Sequence, residues 1–143
     1  MTCVAWDGKC IAADKRATCA GVQNTTTKIR RIATGEVLAW TGNEEACHLV
    51  ARWYEDGADP TKWPDSQKDK EDLSRLIVAS RDCVKVFERQ PIGVRVEDKF
   101  AAWGSGRDFA LAAMHLGKTA KEGVELASHF DVCCGNGVDV LTL

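Results

Sequence analysis

Four short segments of the sequence could carry chemistry, and each is ambiguous when taken alone. The N-terminus reads Met1-Thr2-Cys3. Removal of an initiator methionine before a small residue is common and would leave Thr2 with a free α-amine. Nucleophile and base would then sit on one residue: the hydroxyl attacks, and an amine with an unperturbed pKa of about 7.7–8.0 takes its proton. Many chains open Met-Thr without any such role. Further along, Ala12-Ala13-Asp14-Lys15-Arg16-Ala17-Thr18 places a charged insert at the end of an apolar run; inserts of this kind are more often turns than sites. Lys28 lies on a strand-like stretch whose alternation puts it on one face with Arg30, usually a solvated face. Gly104-Ser105-Gly106 falls at a strand-to-helix junction, where free backbone N–H groups bind an anion or only close a tight turn.

The elements that must position these residues can be read from periodicity and turn chemistry. Cys3–Trp6 and Cys10–Ala13 read as strands joined by Asp7-Gly8-Lys9, a hairpin signal. Lys28–Ala33 passes through Thr34-Gly35 into Val37–Trp40, a second hairpin. Thr41 and Glu44 stand at capping-box spacing before a helix with Ala46, Leu49, Val50 and Trp53, stopped by Gly57. Residues 58–72 hold Pro60, Pro64 and a charged run from Lys68 to Asp72, and read as a solvated loop or one short helix. Leu73–Ala79 and Val84–Phe87 form a third strand pair about Ser80-Arg81-Asp82, and Phe100–Trp103 a further strand. Ser105 and Asp108 can cap a helix carrying Phe109, Ala112, Ala113 and Leu116, ended by Gly117. Thr119 and Glu122 cap another with Leu126 and Ala127; Val132–Cys134, Asn136-Gly137 and Val138–Leu141 read as a last hairpin. Strands in the middle with helices outside predict two sheets, each covered by helices, in four layers.

Composition narrows the function classes. The chain has 143 residues, 45% hydrophobic and 28% charged, a profile that predicts one soluble globular domain over 1–143. A net charge of −2 gives no electrostatic reason to expect nucleic acid as a partner. No apolar run approaches the ~18 residues that span a bilayer, and the N-terminus lacks a signal-peptide pattern, so a cytoplasmic protein is expected. Seven cysteines, at 3, 10, 19, 47, 83, 133 and 134, are odd in number and lack C-x-x-C pairs. A disulfide scaffold and a zinc site are therefore not expected, and most of these thiols read as small core residues; Cys3 and Cys134 stand beside the candidate chemistry.

In this order and spacing, the segments resemble those of proteasome β subunits and HslV, threonine peptidases of the N-terminal-nucleophile class. Thr2-Cys3-Val4-Ala5-Trp6 and Ala13-Asp14-Lys15-Arg16-Ala17-Thr18 are similar to the family's opening strand and its Gly/Ala-Asp-x-x-Ala-Thr segment. Lys28 falls where the family's catalytic lysine is expected, and Gly42 in Trp40-Thr41-Gly42 matches its oxyanion glycine. Trp103-Gly104-Ser105-Gly106-Arg107-Asp108 resembles the G-S-G helix start. Asp131-Val132-Cys133-Cys134-Gly135 resembles D-x-x-S-G, with Cys134 replacing serine.

The resemblance implies an α+β fold, the four-layer αββα sandwich of N-terminal-nucleophile hydrolases, shortened in the first helical layer. It implies a threonine-type endopeptidase with Thr2 as nucleophile once Met1 is gone, and no cofactor or metal. Asp14 would hold Lys28 charged, Ser105 and Asp131 would orient the amine, and Cys134 would support them. The Gly42 N–H would stabilise the oxyanion. Thr18 would bind substrate backbone, and Ala17 and Trp40 would border the first specificity pocket, which a bulky Trp40 would make shallow. The implied partners are a peptide or unfolded protein substrate and further copies in a self-compartmentalised homo-oligomeric ring. An ATPase unfoldase is also implied, although residues 58–72 are too few and too polar for the second long helix on that docking face. Two alternatives stand beside this reading: a non-catalytic structural or binding subunit, and an amidohydrolase of the same class acting on a small amide.

Overall fold

The computed structural model describes residues 1–68 and 74–143. Asp7 closes the first hairpin: its Oδ1 accepts from the N–H of Lys9 and of Cys10, both at 3.0 Å, while Gly8 takes φ +87°. That turn sets strands β1 (Cys3–Trp6) and β2 (Cys10–Asp14) antiparallel, with Val4 opposite Ala13. Strands β10 (Ala101–Gly104) and β11 (Val138–Thr142) flank them, giving a four-stranded sheet ordered β10-β1-β2-β11. A second sheet runs β5 (Ile29–Arg31), β6 (Val37–Gly42), β7 (Ser74–Ala79), β8 (Val84–Phe87) and β9 (Val94–Arg95). Between β2 and β5 the strands β3 (Arg16–Cys19) and β4 (Val22–Thr25) form a separate two-stranded hairpin.

Alternation along the central strands makes the layers. On β6, Val37 and Ala39 pack between the sheets with Val4, Ile11 and Ile77, while Leu38 and Trp40 pack on the other side. Helix α1 (Glu44–Glu55) covers that other side with Cys47, Val50, Ala51 and Trp53. On the far side of the first sheet, Cys3, Ala5 and Ala12 meet helices α2 (Arg107–His115) and α3 (Ala120–Phe130) through Ala110, Met114, Val124 and Ala127. The order is helix, sheet, sheet, helices. Full burial of a single Val50 or Ile11 side chain contributes about 1.5–3 kcal/mol, so the three apolar clusters carry the fold.

Several local expectations need correction. Helix α1 is capped by Asn43, whose side chain accepts from the Ala46 N–H at 3.0 Å, because Thr41 is still strand and faces inward. Helix α2 starts at Gly106 without a side-chain cap, since Ser105 is turned toward Thr2 instead. Leu49 on α1, Phe109 and Ala112 on α2, Leu116 just after α2 and Leu126 on α3 are exposed; α2 and α3 pack through smaller residues such as Ala110, Gly123 and Ala127. The strand from Lys28 to Ala33 shortens to Ile29–Arg31, and Phe100 precedes β10. Val132–Cys134 is a turn and not a strand, so β11 pairs with β2 and closes no final hairpin. The capping box at Thr119 and Glu122 forms as expected.

Residues 58–68 contain two short 3-10 turns, Pro60–Lys62 and Asp65–Lys68, with Trp63 set edge-on against Trp53 at 4.6 Å. The charged run from Lys68 to Asp72 and the strand start at Leu73 lie largely outside the described residues. Among those described, α1 is the sole α-helix on the five-stranded sheet. Of the cysteines, Cys3, Cys47 and Cys134 are buried, Cys10, Cys83 and Cys133 half-buried, and Cys19 exposed on β3. The core reading thus fails for Cys19, which sits on a hairpin that buries almost nothing.

Candidate active site

The β1–β2 register carries the N-terminus alongside the end of β2, where Asp14 is fully buried. Its carboxylate is held from four directions. Oδ1 accepts from the Cys3 N–H and from Lys28 Nζ, both at 2.9 Å; Oδ2 accepts from the N–H of Arg16 at 3.1 Å and of Gly135 at 3.0 Å. Lys28 stands just before β5 and is 4% exposed. Its ammonium also donates to the Arg16 carbonyl at 2.6 Å and to the Met1 carbonyl at 3.4 Å. A buried charge persists only when paired and hydrogen-bonded, and this pair meets both conditions.

Thr2 is 3% exposed and lies at the same point. Its Oγ1 donates to the Met1 carbonyl at 2.6 Å, so the hydroxyl and the Lys28 ammonium converge on one carbonyl oxygen. With Met1 ahead of it, the Thr2 nitrogen is a peptide nitrogen, and it donates to Ser105 Oγ at 3.3 Å. The Gly106 N–H donates to the Thr2 carbonyl at 3.3 Å. Gly104 has φ +93°, and a Cβ there would overlap the Thr2 carbonyl, which explains glycine at this strand end. Gly106 is also crowded, though less so: a Cβ would lie 2.9 Å from side-chain atoms of Cys3, Ala127 and Cys134.

Behind Ser105 the turn after α3 supplies a second rank. Cys134 Sγ lies 3.8 Å from Ser105 Oγ and donates to Asp131 Oδ2 at 3.4 Å, while the Cys133 N–H donates to Asp131 Oδ1 at 2.8 Å. Burial pushes the Asp131 carboxyl up, but hydrogen bonds from the Cys133 N–H and from the Ser105 and Cys134 side chains outweigh it, and the group sits below its ordinary value. Burial, then the nearby Asp14 charge, push the Cys134 thiol up to about 12; burial raises the Cys3 thiol further still. Both thiols are neutral at physiological pH.

A groove of about 550 Å³ runs from Thr2 between the β3–β4 hairpin and the start of α1, lined by Lys28, Ala17, Thr18, Trp40 and Gly42. Gly42 ends β6 at φ +113° and is exposed there. Trp40 is 4% exposed. Its ring lies toward α1, 5.3 Å from His48, with the Arg30 guanidinium 5.5 Å from its centre.

The structure therefore brings Thr2, Asp14, Lys28 and Ser105 into one hydrogen-bonded cluster and places Gly42, Thr18, Ala17 and Trp40 along the adjoining groove. Asp131 does not touch Thr2 and connects to it through Ser105 and Cys134. Lys28 and Arg30 part company: Lys28 turns to Asp14, whereas Arg30 pairs with Glu55 on α1. Sequence reasoning missed Arg16, whose amide, carbonyl and guanidinium respectively bind Asp14, Lys28 and the Val132 carbonyl. It also missed the role of the Gly135 N–H. Backbone donors leave no mark in residue type. The hairpin that carries Arg16 left only a weak one, the glycine of its Ala20-Gly21 turn, where the structure has both φ values positive.

No protein-family model matches the sequence, and no curated protein matches it in sequence. Solved structures match it over their whole length. Thiobacillus denitrificans BPH in complex with epoxomicin superposes with a TM-score of 0.76 at 19% identity, covering 100% of this chain and 98% of that one. A second structure of Thiobacillus denitrificans BPH gives 0.73 at 19% identity, covering 99% and 96%. Eukaryotic HslV from Trypanosoma brucei gives 0.70 at 21% identity, covering 99% and 98%. At these identities the likeness is one of fold: the chain has the N-terminal-nucleophile hydrolase fold of HslV-like structures.

Proposed function

We propose that this N-terminal-nucleophile fold serves as a threonine-type endopeptidase, with Thr2 as the nucleophile after Met1 is removed. One observation carries the reading: the Thr2 hydroxyl and the buried Lys28–Asp14 pair converge on the carbonyl of the residue before Thr2. A carbonyl already rests where hydroxyl and cation meet.

The reaction needs only groups at this point. With Met1 gone, the Thr2 α-amine takes the proton from its own Oγ1, directly or through one water, as Oγ1 attacks a peptide carbonyl carbon. The ammonium of Lys28 lowers the proton affinity of this pair by its charge, and Asp14 keeps Lys28 charged and aimed. The Gly42 N–H stabilises the oxyanion; loss of one such donor costs about 2.7–4 kcal/mol in other enzymes. Collapse breaks the C–N bond, the Thr2 ammonium returns a proton to the leaving amine, and an ester on Thr2 remains. Water, deprotonated by the same amine, then hydrolyses the ester and frees Thr2. Acid–base help of this kind is worth roughly 10²–10⁴ in rate. Ser105, backed by Cys134 and Asp131, orients the amine.

The groove beside Thr2 suits an extended peptide: Ala17 and Thr18 lie on the exposed β3–β4 hairpin, where strand-like backbone pairing is available. A narrow closed pocket would have favoured a small amide. Assembly into a homo-oligomeric ring belongs to the same proposal, since an open groove on a single small domain would cleave indiscriminately.

The test is intact mass together with Thr2→Ala. Active protein has lost one methionine, and Thr2→Ala abolishes hydrolysis of peptide amides while leaving the assembly unchanged. Full-length mass in a fully active preparation, or turnover by the alanine variant, refutes the mechanism.

A further inference from the structure

The cleft beside Thr2 also opens on the side away from the β3–β4 hairpin. There Thr41, Gly42, Gly104 and Ser105 meet Arg75 of β7 around a space of about 260 Å³. The next residue, Leu76, packs against the α1 layer, so alternation turns Arg75 toward the space between the sheets. Arg75 is ion-paired with Glu88, just beyond β8.

Arg75 lines a second, larger groove as well, about 540 Å³, with Val86, Ile92, Val94 and Trp103 on its apolar side and Glu88, Arg89 and Gln90 on its polar side. This groove lies at the edge strands β9 and β10 of the two sheets. Trp103 adjoins Gly104, which abuts Thr2, so the groove and the nucleophile are joined along β10 as well as through Arg75. One side of it is aliphatic and open: Ile92 is 66% and Val94 65% exposed. It is also held in shape. A Cβ on Gly93 would lie 2.7 Å from the Phe87 ring, so glycine lets the segment between Ile92 and Val94 pack close to that ring while both aliphatic side chains stay exposed.

We infer that this groove binds the part of a peptide substrate that follows the scissile bond and selects an aliphatic or aromatic residue there. The inference rests on the peptidase reading and adds the substrate class on the leaving side. In that reading the acyl part lies along Ala17 and Thr18, and the leaving segment must depart on the opposite side of Thr2. That side leads past Arg75 into the apolar groove. An apolar side chain covering Ile92 and Val94 removes apolar surface of both partners from water, whereas an acidic one is desolvated there at a cost. A second copy of the chain is the competing occupant, and continuity with the Thr2 cleft favours the substrate.

The test compares peptides that share the residues before the scissile bond. One ends in a small fluorogenic amine. The others continue for roughly five residues, an extended span of about 17 Å at ~3.4 Å per residue, carrying either Leu and Phe or Asp. With Met1-free protein, the apolar extension should exceed the acidic one by about 10-fold in kcat/KM, the scale of a hydrophobic subsite. Val94→Asp and Ile92→Asp, both at exposed positions, should erase that preference and leave the short amide unchanged. Equal turnover of both extensions overturns the inference. So do variants that slow every substrate alike, or variants that change the oligomer on sizing while the preference persists. If the wild type cleaves neither the short amide nor any extended peptide, the peptidase reading itself has failed, and this inference with it.

Discussion

Asp14→Asn and Lys28→Met should differ in cost, and the hydrogen bonds say by how much. Lys28→Met leaves the carboxylate with three of its four donors, the N–H groups of Cys3, Arg16 and Gly135. An anion so held keeps most of its stabilisation, and the loss should be about 2 kcal/mol, below the ~3–5 kcal/mol for a buried pair broken without such donors. Asp14→Asn is worse on two counts. The amide nitrogen cannot accept, so up to two buried donors lose their partner at about 1–3 kcal/mol each. Lys28, 4% exposed, also loses its counter-charge and keeps only carbonyl partners. Breaking a buried pair in this way costs about 3–5 kcal/mol, and the combined loss should be near 5 kcal/mol. At about 2–4 °C per kcal/mol for a chain of this size, Tm should fall by about 10–20 °C for Asp14→Asn and about 4–8 °C for Lys28→Met. Urea and thermal melts followed by tryptophan fluorescence can read this at a fixed protein concentration, which matters if copies associate. The double variant should be more stable than Asp14→Asn alone, because removing the stranded ammonium relieves its burial. If Lys28→Met costs as much as Asp14→Asn, the backbone cradle does not carry the Asp14 charge and the account of the site's electrostatics is wrong.

Two further outcomes follow from neighbouring residues. Gly104→Ala should reduce peptide hydrolysis by about 100-fold with the fold kept, since a shift of about 1 Å at Thr2 is enough for that loss; wild-type turnover would show that the Thr2 carbonyl tolerates displacement. Asp131 has a depressed carboxyl, so its contribution to stability is present above the ordinary carboxylate value and is lost as pH falls through its lower folded value. Asp131→Asn should therefore lower Tm at pH 7, with the gap to wild type closing below about pH 4; a gap that stays constant down to pH 3 would contradict the hydrogen bonds assigned to that carboxylate.

The layers were legible in the sequence wherever burial enforces a period. Val37, Ala39 and Leu38, Trp40 alternate on β6 because each faces a different core, and Ala46, Val50 and Trp53 recur along α1 for the same reason. Legibility failed where burial is slight. The β3–β4 hairpin is exposed along most of its length, so nothing apolar marks its strands, and β9 is only two residues long. It also failed on the outer faces of the helices. Phe109 and Leu116 look like core residues by type, yet packing of α2 against α3 at Gly123 and Ala110 demands small residues, and the larger ones turn outward; Leu49 lies off the face of α1 that Cys47, Val50, Ala51 and Trp53 bury. At the site, side chains such as Asp14 and Lys28 could be named from the sequence. The N–H groups of Cys3, Arg16 and Gly135, which do as much to hold Asp14, could not.

That division bears on why a buried ion pair is present here at all. A buried pair is a poor source of stability: apolar residues of similar volume in its place are often neutral or better. Ala13 and Ile29, the residues next to Asp14 and Lys28 in sequence, belong to the apolar cluster between the sheets with Val4 and Ile11, so this part of the sandwich readily forms an apolar core. Yet at the one end where the N-terminus emerges, the chain commits three backbone donors and a strand terminus to keeping a carboxylate and an ammonium out of water. Folding gains little from this arrangement that a leucine would not supply. What the arrangement does supply is a fixed positive charge on the same oxygen that the Thr2 hydroxyl reaches, which is what the proposed reaction requires. A buried pair that folding does not require fits the proposed active Thr2 better than a purely structural subunit, in which the pair would be free to decay into ordinary core.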